Sequence, residues 1–401
     1  MQAYITESCV LKHPEELRQA WLDLQERTDC SWFLTWGWIG TWLQQIAITL
    51  SPVAVRVWHD EQLVGLAVFV PRNIKRRIAF RASALFLHEY PFDRNNMVIE
   101  YNGLLAARGH ESAVYAEIVG HLLRDFKQYD EFHFGAIAEG PDLDNLQQAA
   151  GSQARLLIND ESTAWQVDLK ALEPGMDGFV ATLSKNRRTQ LRRSLRLYEE
   201  QGPLRLDEAQ YMEQALDFFD GLKVLHTERR QLKGEGGAFA NSSWEQFHRS
   251  LIKDRFSAGE IQMIRVSNPV MTVGYLYNFI WRKQVYVLQT GFMLARDKRD
   301  LPGYVVHALA IVHNRHRGMA VYDLMHGDSL YKRILCKRSQ KLFWVVMQRP
   351  RLKFSIERFV INLVRHGRRL VNCCTCSMAI IPVHVSDDDC ILHIQSMCST
   401  E

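Results

Sequence analysis

The sequence predicts a mixed α/β fold in two tandem units, each a mixed β-sheet flanked by helices. Three observations lead there. Short β-rich runs alternate with helical patterns along most of the 401 residues, which suits layered sheet-and-helix architecture. Two stretches repeat one another, VAVRVWHDEQLVGLAVFV (53–70) and IQMIRVSNPVMTVGYLYNFI (261–280), with Arg56-Val57 on Arg265-Val266 and Gly65 on Gly274. The chain is also too long for one compact core, so two domains are expected.

The clearest unit runs from Gly259 to Leu335. It reads as three strands, a charged loop ending in Pro302-Gly303, a helix, a strand and a short polar segment into another helix. The N-terminal copy is shorter of matches. Its hairpin at 53–71 turns at His59-Asp60-Glu61-Gln62, and Gly103 to Arg108 lies over Gly291 to Arg296. The offset between these blocks implies an insertion after the hairpin. The expected division is 1–160 for the N-terminal lobe, 161–335 for the C-terminal lobe, 336–370 for a basic helical extension split at Pro350, and 371–401 for a Cys-rich tail.

Further elements follow from periodicity. Helices are expected over 14–28, 112–125 and 184–201, with Ser184 as cap and Gly202 past the end. Strands are expected at 131–137 and 163–169. Trp32, Trp36, Trp38 and Trp42 crowd one segment, and such a cluster reads as core, since large rings dominate packing.

Composition excludes some classes. Hydrophobic content of 47%, charged content of 23% and a net charge of +4 are ordinary for a globular protein and alone say little about nucleic acid. The N-terminus lacks a secretory pattern, and no apolar run reaches the roughly 18–20 residues of a spanning helix. Cytoplasm is the expected compartment. In the tail, Cys373 and Cys376 form a C-x2-C pair with Cys390, Cys398, His384 and His393 downstream, but the spacings match no standard zinc site, so no metal is expected.

Several groups are candidates for chemistry. The start of a helix at Pro302-Gly303 exposes unpaired N–H groups beside Arg296, Lys298 and Arg299, which suits phosphate; an ordinary helix start with solvated charges is the other reading. His326 and Asp328 flank a strand end, where a histidine is poised to titrate near neutrality, although a surface His and a turn-forming Asp have the same pattern. Lys332 meets either an acidic substrate or water. Six cations in twelve residues, Lys185, Arg187, Arg188, Arg192, Arg193 and Arg196, suit an anion or nucleic acid. No recognised DNA- or RNA-binding motif accompanies them, so DNA is not expected.

At this point the chain resembles a family. FLTWGWIGTW near the N-terminus, LSKNRRTQLRRS at 183–194, LHTERR with GEGGAFA at 225–240 and YDLMHGDSLYK at 322–332 are similar to GNAT-type acyltransferases of the CelD-like group. These are relatives of the FemAB aminoacyltransferases and carry two GNAT units in tandem. The resemblance covers roughly residues 30–355. It implies an acyl-CoA, typically acetyl-CoA, whose pyrophosphate sits on backbone amides between Arg296 and Tyr304. The loop departs from the usual GNAT pattern: from Arg299 to Gly303 it is one residue longer, and Tyr304-Val305 lacks the second small residue. Arg108-Gly-His-Glu-Ser of the first copy departs further, so the second copy is the expected cofactor site.

The resemblance further implies attack on a thioester by an amine or hydroxyl, with proton transfer to a base and from an acid. Tyr331 falls where GNAT enzymes often place the acid; packing between helix and sheet is its alternative. His226, Arg230 and Arg187 fall in motifs that imply substrate contact; a helix-end His and Arg satisfying backbone carbonyls is the other reading of His226 and Arg230. The implied acceptor is a small molecule or a sugar or polysaccharide precursor. Through FemAB, aminoacyl-tRNA is the alternative donor, and a non-catalytic binding protein on the same scaffold is the third reading.

Overall fold

The computed structural model describes residues 3–46, 50–76, 80–89, 99–234, 236–297 and 299–362. The first part runs β1 (Ile5–Val10), α1 (Arg18–Gln25), α2 (Trp36–Gln45), β2 (Val53–His59), β3 (Gln62–Lys75), β4 (Arg81–Leu87), β5 (Leu105–Ala106), α3 (Glu111–Asp125), β6 (Glu131–Ala138), α4 (Pro141–Ala150) and β7 (Arg155–Asp168). Two linking helices follow, α5 (Gly175–Ala181) and α6 (Lys185–Glu199). The chain then runs β8 (Arg205–Glu208), α7 (Met212–Leu232), α8 (Ser242–Arg255), β9 (Ile261–Ser267), β10 (Thr272–Trp281), β11 (Gln284–Phe292), α9 (Pro302–His316), β12 (Val321–His326), α10 (Leu330–Leu335) and β13 (Arg338–Gln348). Taking β4 and β5 together, both parts follow one order: strand, two helices, three strands, helix, strand, helix, strand.

The strands form one continuous sheet in the order β1-β2-β3-β4-β6-β13-β7-β12-β11-β10-β9-β8, with β5 paired to β3. This corrects the expectation of a separate sheet in each unit. The reason lies in the middle. β7 pairs with β12 of the second part, while β13 lies between β6 and β7. The final strand of each part has crossed to the other, so neither sheet has a free central edge.

The internal repeat holds at the level of register. Val57 faces Gly65 across β2–β3, and Val266 faces Gly274 across β9–β10. The β2–β3 turn has Asp60 and Glu61 at positive φ; in the second part such a pair, Arg282 and Lys283, sits one hairpin later, between β10 and β11. Such turns match the right-handed twist of the flanking strands.

Aromatic packing joins the two parts. Trp32 stacks on Phe279 with centroids 3.6 Å apart and an interplanar angle of 11°, and its indole N–H donates to Glu260 at 3.2 Å. Trp38 meets Phe247 of α8 edge-on, with ring centroids 4.9 Å apart. Trp32, Trp36, Trp38 and Trp42 are all buried, as a core cluster requires.

The basic segment 336–370 is not the helical extension that its sequence suggests. Residues 338–348 are β13, and helix begins only at 352, continuing to 362. Leu342, Phe343, Val345, Val346 and Met347 are buried mid-sheet. A strand covered on both faces shows no polar alternation, so its apolar run is indistinguishable from a buried helix by period. The Cys-rich tail, with Cys373, Cys376, Cys390, Cys398, His384 and His393, lies outside the described residues. Among the described residues no helix is long and apolar enough to cross a membrane, and no group of three or more His, Cys, Asp or Glu is placed to hold a metal ion.

Candidate active site

The parallel pair β11–β12 is short. Gln284, Val285 and Tyr286 pair with Val321, Tyr322 and Asp323, after which no pairing continues. Beyond that point the strands diverge and leave a wedge. Its orientation follows from one bond: Met293 N–H donates to Val273 O at 3.0 Å. Backbone groups alternate sides along an antiparallel ladder. Residues 293 and 291 therefore face β10, while the N–H and C=O of Thr290 and Phe292 face the wedge. The Thr290 N–H is taken by the Gln289 side chain at 3.1 Å.

The matching notch in the first part is filled. β4 and β6 pair over Ala84–Phe86 and Glu131–His133. The chain then leaves β4 and returns so that Asn102 bridges Ile137. Asn102 donates to Leu87 O at 2.9 Å and receives the Nδ1 proton of His88 at 3.0 Å. Val68 N–H donates to His88 Nε2 at 3.1 Å. Burial pushes His88 down to about 4, so it is neutral at pH 7.

One wall of the open wedge carries His226. It sits on α7, which lies so close to β11 that a Cβ on Gly291 would fall 2.5 Å from Leu222 O. His226 Nδ1 lies 3.2 Å from Thr290 O. A carbonyl only accepts, so Nδ1 carries the proton and Nε2 keeps its lone pair. Nε2 is buried without a hydrogen-bond partner. Burial pushes His226 down to about 4, helped by Arg230 and Arg229 and opposed by the Thr290 carbonyl. Gly237, at φ +73°, covers this atom; a Cβ there would stand 2.9 Å from Nε2 and 3.0 Å from Arg230 Cγ. Arg230 thus lies along the same glycine loop.

The other wall carries His326 at the end of β12. Its Nδ1 lies 2.7 Å from Glu100 Oε1, an ion-pair contact rather than a linear hydrogen bond. Its backbone N–H donates to Glu100 Oε2 at 2.9 Å. Burial opposes charge on both groups, yet their mutual attraction prevails: His326 is raised and Glu100 lowered. Beside them Asp323 accepts from Tyr101 Oη at 2.5 Å, Gln166 Nε2 at 2.9 Å and Met325 N at 2.7 Å. Burial lifts Asp323 to about 6.

Tyr331 and His307 belong to the opposite face. They stack at 5.5 Å with planes 14° apart, and both pack with the core that contains Tyr322, Leu324 and α9. The α7 residues Phe219 and Leu222 share the other core with Tyr286 and Met325. Asp328 forms an exposed ion pair with Arg333. Lys332 is buried and turned inward, donating to His326 O at 2.5 Å and Met325 O at 3.3 Å. It anchors α10 to the end of β12.

At the start of α9 the loop is internally neutralised. Arg296 Nε donates to Asp300 at 2.9 Å and Arg299 Nη2 to Asp297 at 2.6 Å. Asp300 also accepts from Tyr198, and Leu301 N–H donates to Ser194 Oγ at 3.0 Å. Lys298 lies outside the described residues. Gly303 follows Pro302 in the first turn, where a Cβ would meet the Phe292 ring at 3.2 Å. Tyr304 is half-buried; burial raises it and the Arg187 charge lowers it. Helix α6 thus brings Arg187 to this helix start, and Arg188 Nε on the same helix is buried without a hydrogen-bond partner among the described residues.

His226 lies beside Thr290 of β11, His326 ends β12, and the α9 start meets the Phe292 ring of β11; Tyr331 stacks on His307 of α9, on the side of the sheet away from α7. Glu100, Asp323 and His307 were not singled out from sequence. Glu100 lies far from His326 in the chain, and no local motif marks the pair. The buried polar residues flanking the YDLM strand were the available signal.

Comparison with known proteins places these features. Residues 185–333 match the family model described as an acetyltransferase (GNAT) domain. No curated protein sequence matches the chain. Among solved structures, FemX aligns with a TM-score of 0.51 at 10% identity, covering 84% of this chain and 96% of that one. L-PGS from Bacillus licheniformis aligns with 0.51 at 10%, covering 88% and 97%. A conserved protein of unknown function from Bacteroides thetaiotaomicron aligns with 0.52 at 9%, covering 87% and 100%. At such identities the likeness is one of fold. The family match is confined to residues 185–333, and over the longer span the chain shares its fold with FemX and L-PGS.

Proposed function

We propose that the protein transfers an acyl group, acetyl in the simplest case, from acyl-CoA to an amine or hydroxyl acceptor, within two tandem GNAT-like units of which the second is active. The open β11–β12 wedge carries this reading, because it has wedge-facing backbone groups and, in His226 Nε2, an imidazole nitrogen without a hydrogen-bond partner among the described residues.

The donor's phosphates fit the amides of Gly303 and Tyr304, with the α9 dipole behind them. Arg296 and Arg299 border that position but are each paired to an aspartate. Arg187 and Arg188 of α6 supply the additional positive charge. The acyl arm runs into the wedge, where the Phe292 N–H faces the thioester oxygen and stabilises the oxyanion.

His226 Nε2 takes the proton of the attacking amine or hydroxyl as the new carbon–nitrogen or carbon–oxygen bond forms. The tetrahedral intermediate collapses, the carbon–sulfur bond breaks, and the thiolate takes a proton from His326. The products are acylated acceptor and free CoA thiol. One histidine lowered by burial and the other raised by Glu100 against burial are what an acid–base pair requires. Tyr331 and Asp328 are the competing acid and base; His326→Gln set against Tyr331→Phe distinguishes the acids.

The acceptor class implied by the CelD-like resemblance is a sugar or polysaccharide precursor. The test is release of free CoA from acetyl-CoA with a panel of amino and neutral sugars. Acceptor-dependent release supports the reading, and none with any donor contradicts it. Helix α6 also favours a second reading, aminoacyl transfer from charged tRNA. Binding of tRNA at low salt, lost when Arg192 and Arg193 are neutralised, would move the assignment there.

A further inference from the structure

The two carboxylate oxygens of Glu100 are devoted to a single residue of the other half. Oε1 lies 2.7 Å from His326 Nδ1, and Oε2 accepts the His326 backbone N–H at 2.9 Å. Glu100 is 6% exposed and stands in the segment that returns from β4, two residues before the Asn102 bridge that plugs the first notch. That plug therefore does two things. It closes one notch and projects a carboxylate toward the other.

Other groups around His326 cannot replace Glu100. Lys332 of α10 lies on the carbonyl side and opposes a charged imidazole; Asp160 of β7 favours one from farther away. Asp323, on the same strand, is occupied by Tyr101, Gln166, Gln284 and the Met325 N–H. The Trp344 ring of β13 stands edge-on at 5.9 Å and offers no charge. With Nδ1 facing Glu100, Nε2 points away from it and has no hydrogen-bond partner among the described residues.

We propose that Glu100 is a positioning residue for His326, so that the site of the second half is completed by a carboxylate from the first. The inference rests on the acyl-transfer reading. In it, His326 passes its Nε2 proton to the departing thiolate, and the ring remains neutral with its Nδ1 proton directed at Glu100. The proton accepted by His226 leaves to solvent and His326 is reprotonated, so each turnover consumes acceptor and acyl-CoA and yields product and CoA thiol. The degenerate half then has a catalytic duty, which explains a chain that keeps both.

The test is Glu100→Gln, read in two ways. The titration midpoint of His326, assigned by its loss in His326→Gln, is followed by NMR without any donor. The pH profile of kcat for CoA release is measured in parallel. The expected result is a lower His326 midpoint, with the alkaline limb of the profile moved to lower pH, kcat down roughly 10- to 100-fold, as for general acid–base groups, and KM for acyl-CoA within about 2-fold. Glu100→Asp, which keeps the charge but withdraws it by one methylene, shifts both readouts less and serves if the Gln variant fails to fold. An unchanged midpoint and unchanged limb in a folded variant would overturn the proposal. If wild-type protein releases no CoA from any donor while the midpoint still moves, the pairing stands and the acyl-transfer reading is what has failed.

Discussion

His226 Nδ1 meets the carbonyl of Thr290 at 3.2 Å, and that contact decides which nitrogen is available for chemistry. The proton must lie on Nδ1, so the buried Nε2 is a lone pair facing the glycine loop at 237. With burial holding His226 down to about 4, the base is in its working form throughout the neutral range. His226→Asn should lower kcat by about 10²–10⁴, as loss of a general base does. The wild-type acid limb from this group should lie near pH 4 rather than 6.5. A full-activity variant, or an acid limb near 6.5, would remove His226 from the mechanism.

Among the described residues, burial lowers four histidines strongly: His88 and His226 to about 4, His248 and His307 to about 3. Each folded value lies below the unfolded one, so stability is intact above about pH 6.5 and is lost as pH falls, because the unfolded chain binds protons that the folded one refuses. At pH 5 each contributes a loss of order 2 kcal/mol, from 1.36 kcal/mol per unit. Thermal melts should show Tm falling steeply between pH 6.5 and 5, and His248→Gln should flatten that slope.

The seam between the halves depends on Trp32. Its stacking on Phe279 and its bond to Glu260 make Trp32→Ala a truncation of a fully buried ring, costing about 3–5 kcal/mol. Removing it also takes a hydrogen-bond donor from Glu260, which burial already raises and which keeps its 3.8 Å contact with Arg255. Denaturant unfolding followed at both halves should show one weakened transition or the two halves coming apart, rather than local loss in the first half alone.

The Asn102–His88 plug predicts stoichiometry. One acyl-CoA should bind per chain, since the first notch is filled by its own buried side chains. Calorimetric titration giving two equivalent sites would contradict this. On the donor side, Arg187→Ala with Arg188→Ala should raise KM for acyl-CoA several-fold, flatten its salt dependence and leave kcat little changed, as loss of charges remote from the reacting atoms does.

Much of this was legible in the chain. The pairing of Arg56-Val57 and Gly65 with Arg265-Val266 and Gly274 is borne out by identical strand registers, because a glycine and its partner valine mark the same point in both hairpins. The insertion falls after the hairpin, as the change of offset implies, between the end of β4 at Leu87 and β5 at Leu105. β13 was missed because a strand buried on both faces carries no alternation. The crossing of β7 and β13 was missed because either strand fits either slot by composition. Lys332 showed only its charge in sequence; its inward turn onto two carbonyls is a matter of packing. Glu100 was invisible for a different reason: a cross-half ion pair has no spacing.

The central claim is that the acyl donor enters the β11–β12 wedge, and hydrogen exchange of the backbone amides with and without acetyl-CoA tests it most directly. Protection should appear at Phe292 and at Gly303–Tyr304, with no change at Ala84–Phe86 or Asn102. Protection confined to the first half, or none at saturating acetyl-CoA, would contradict it.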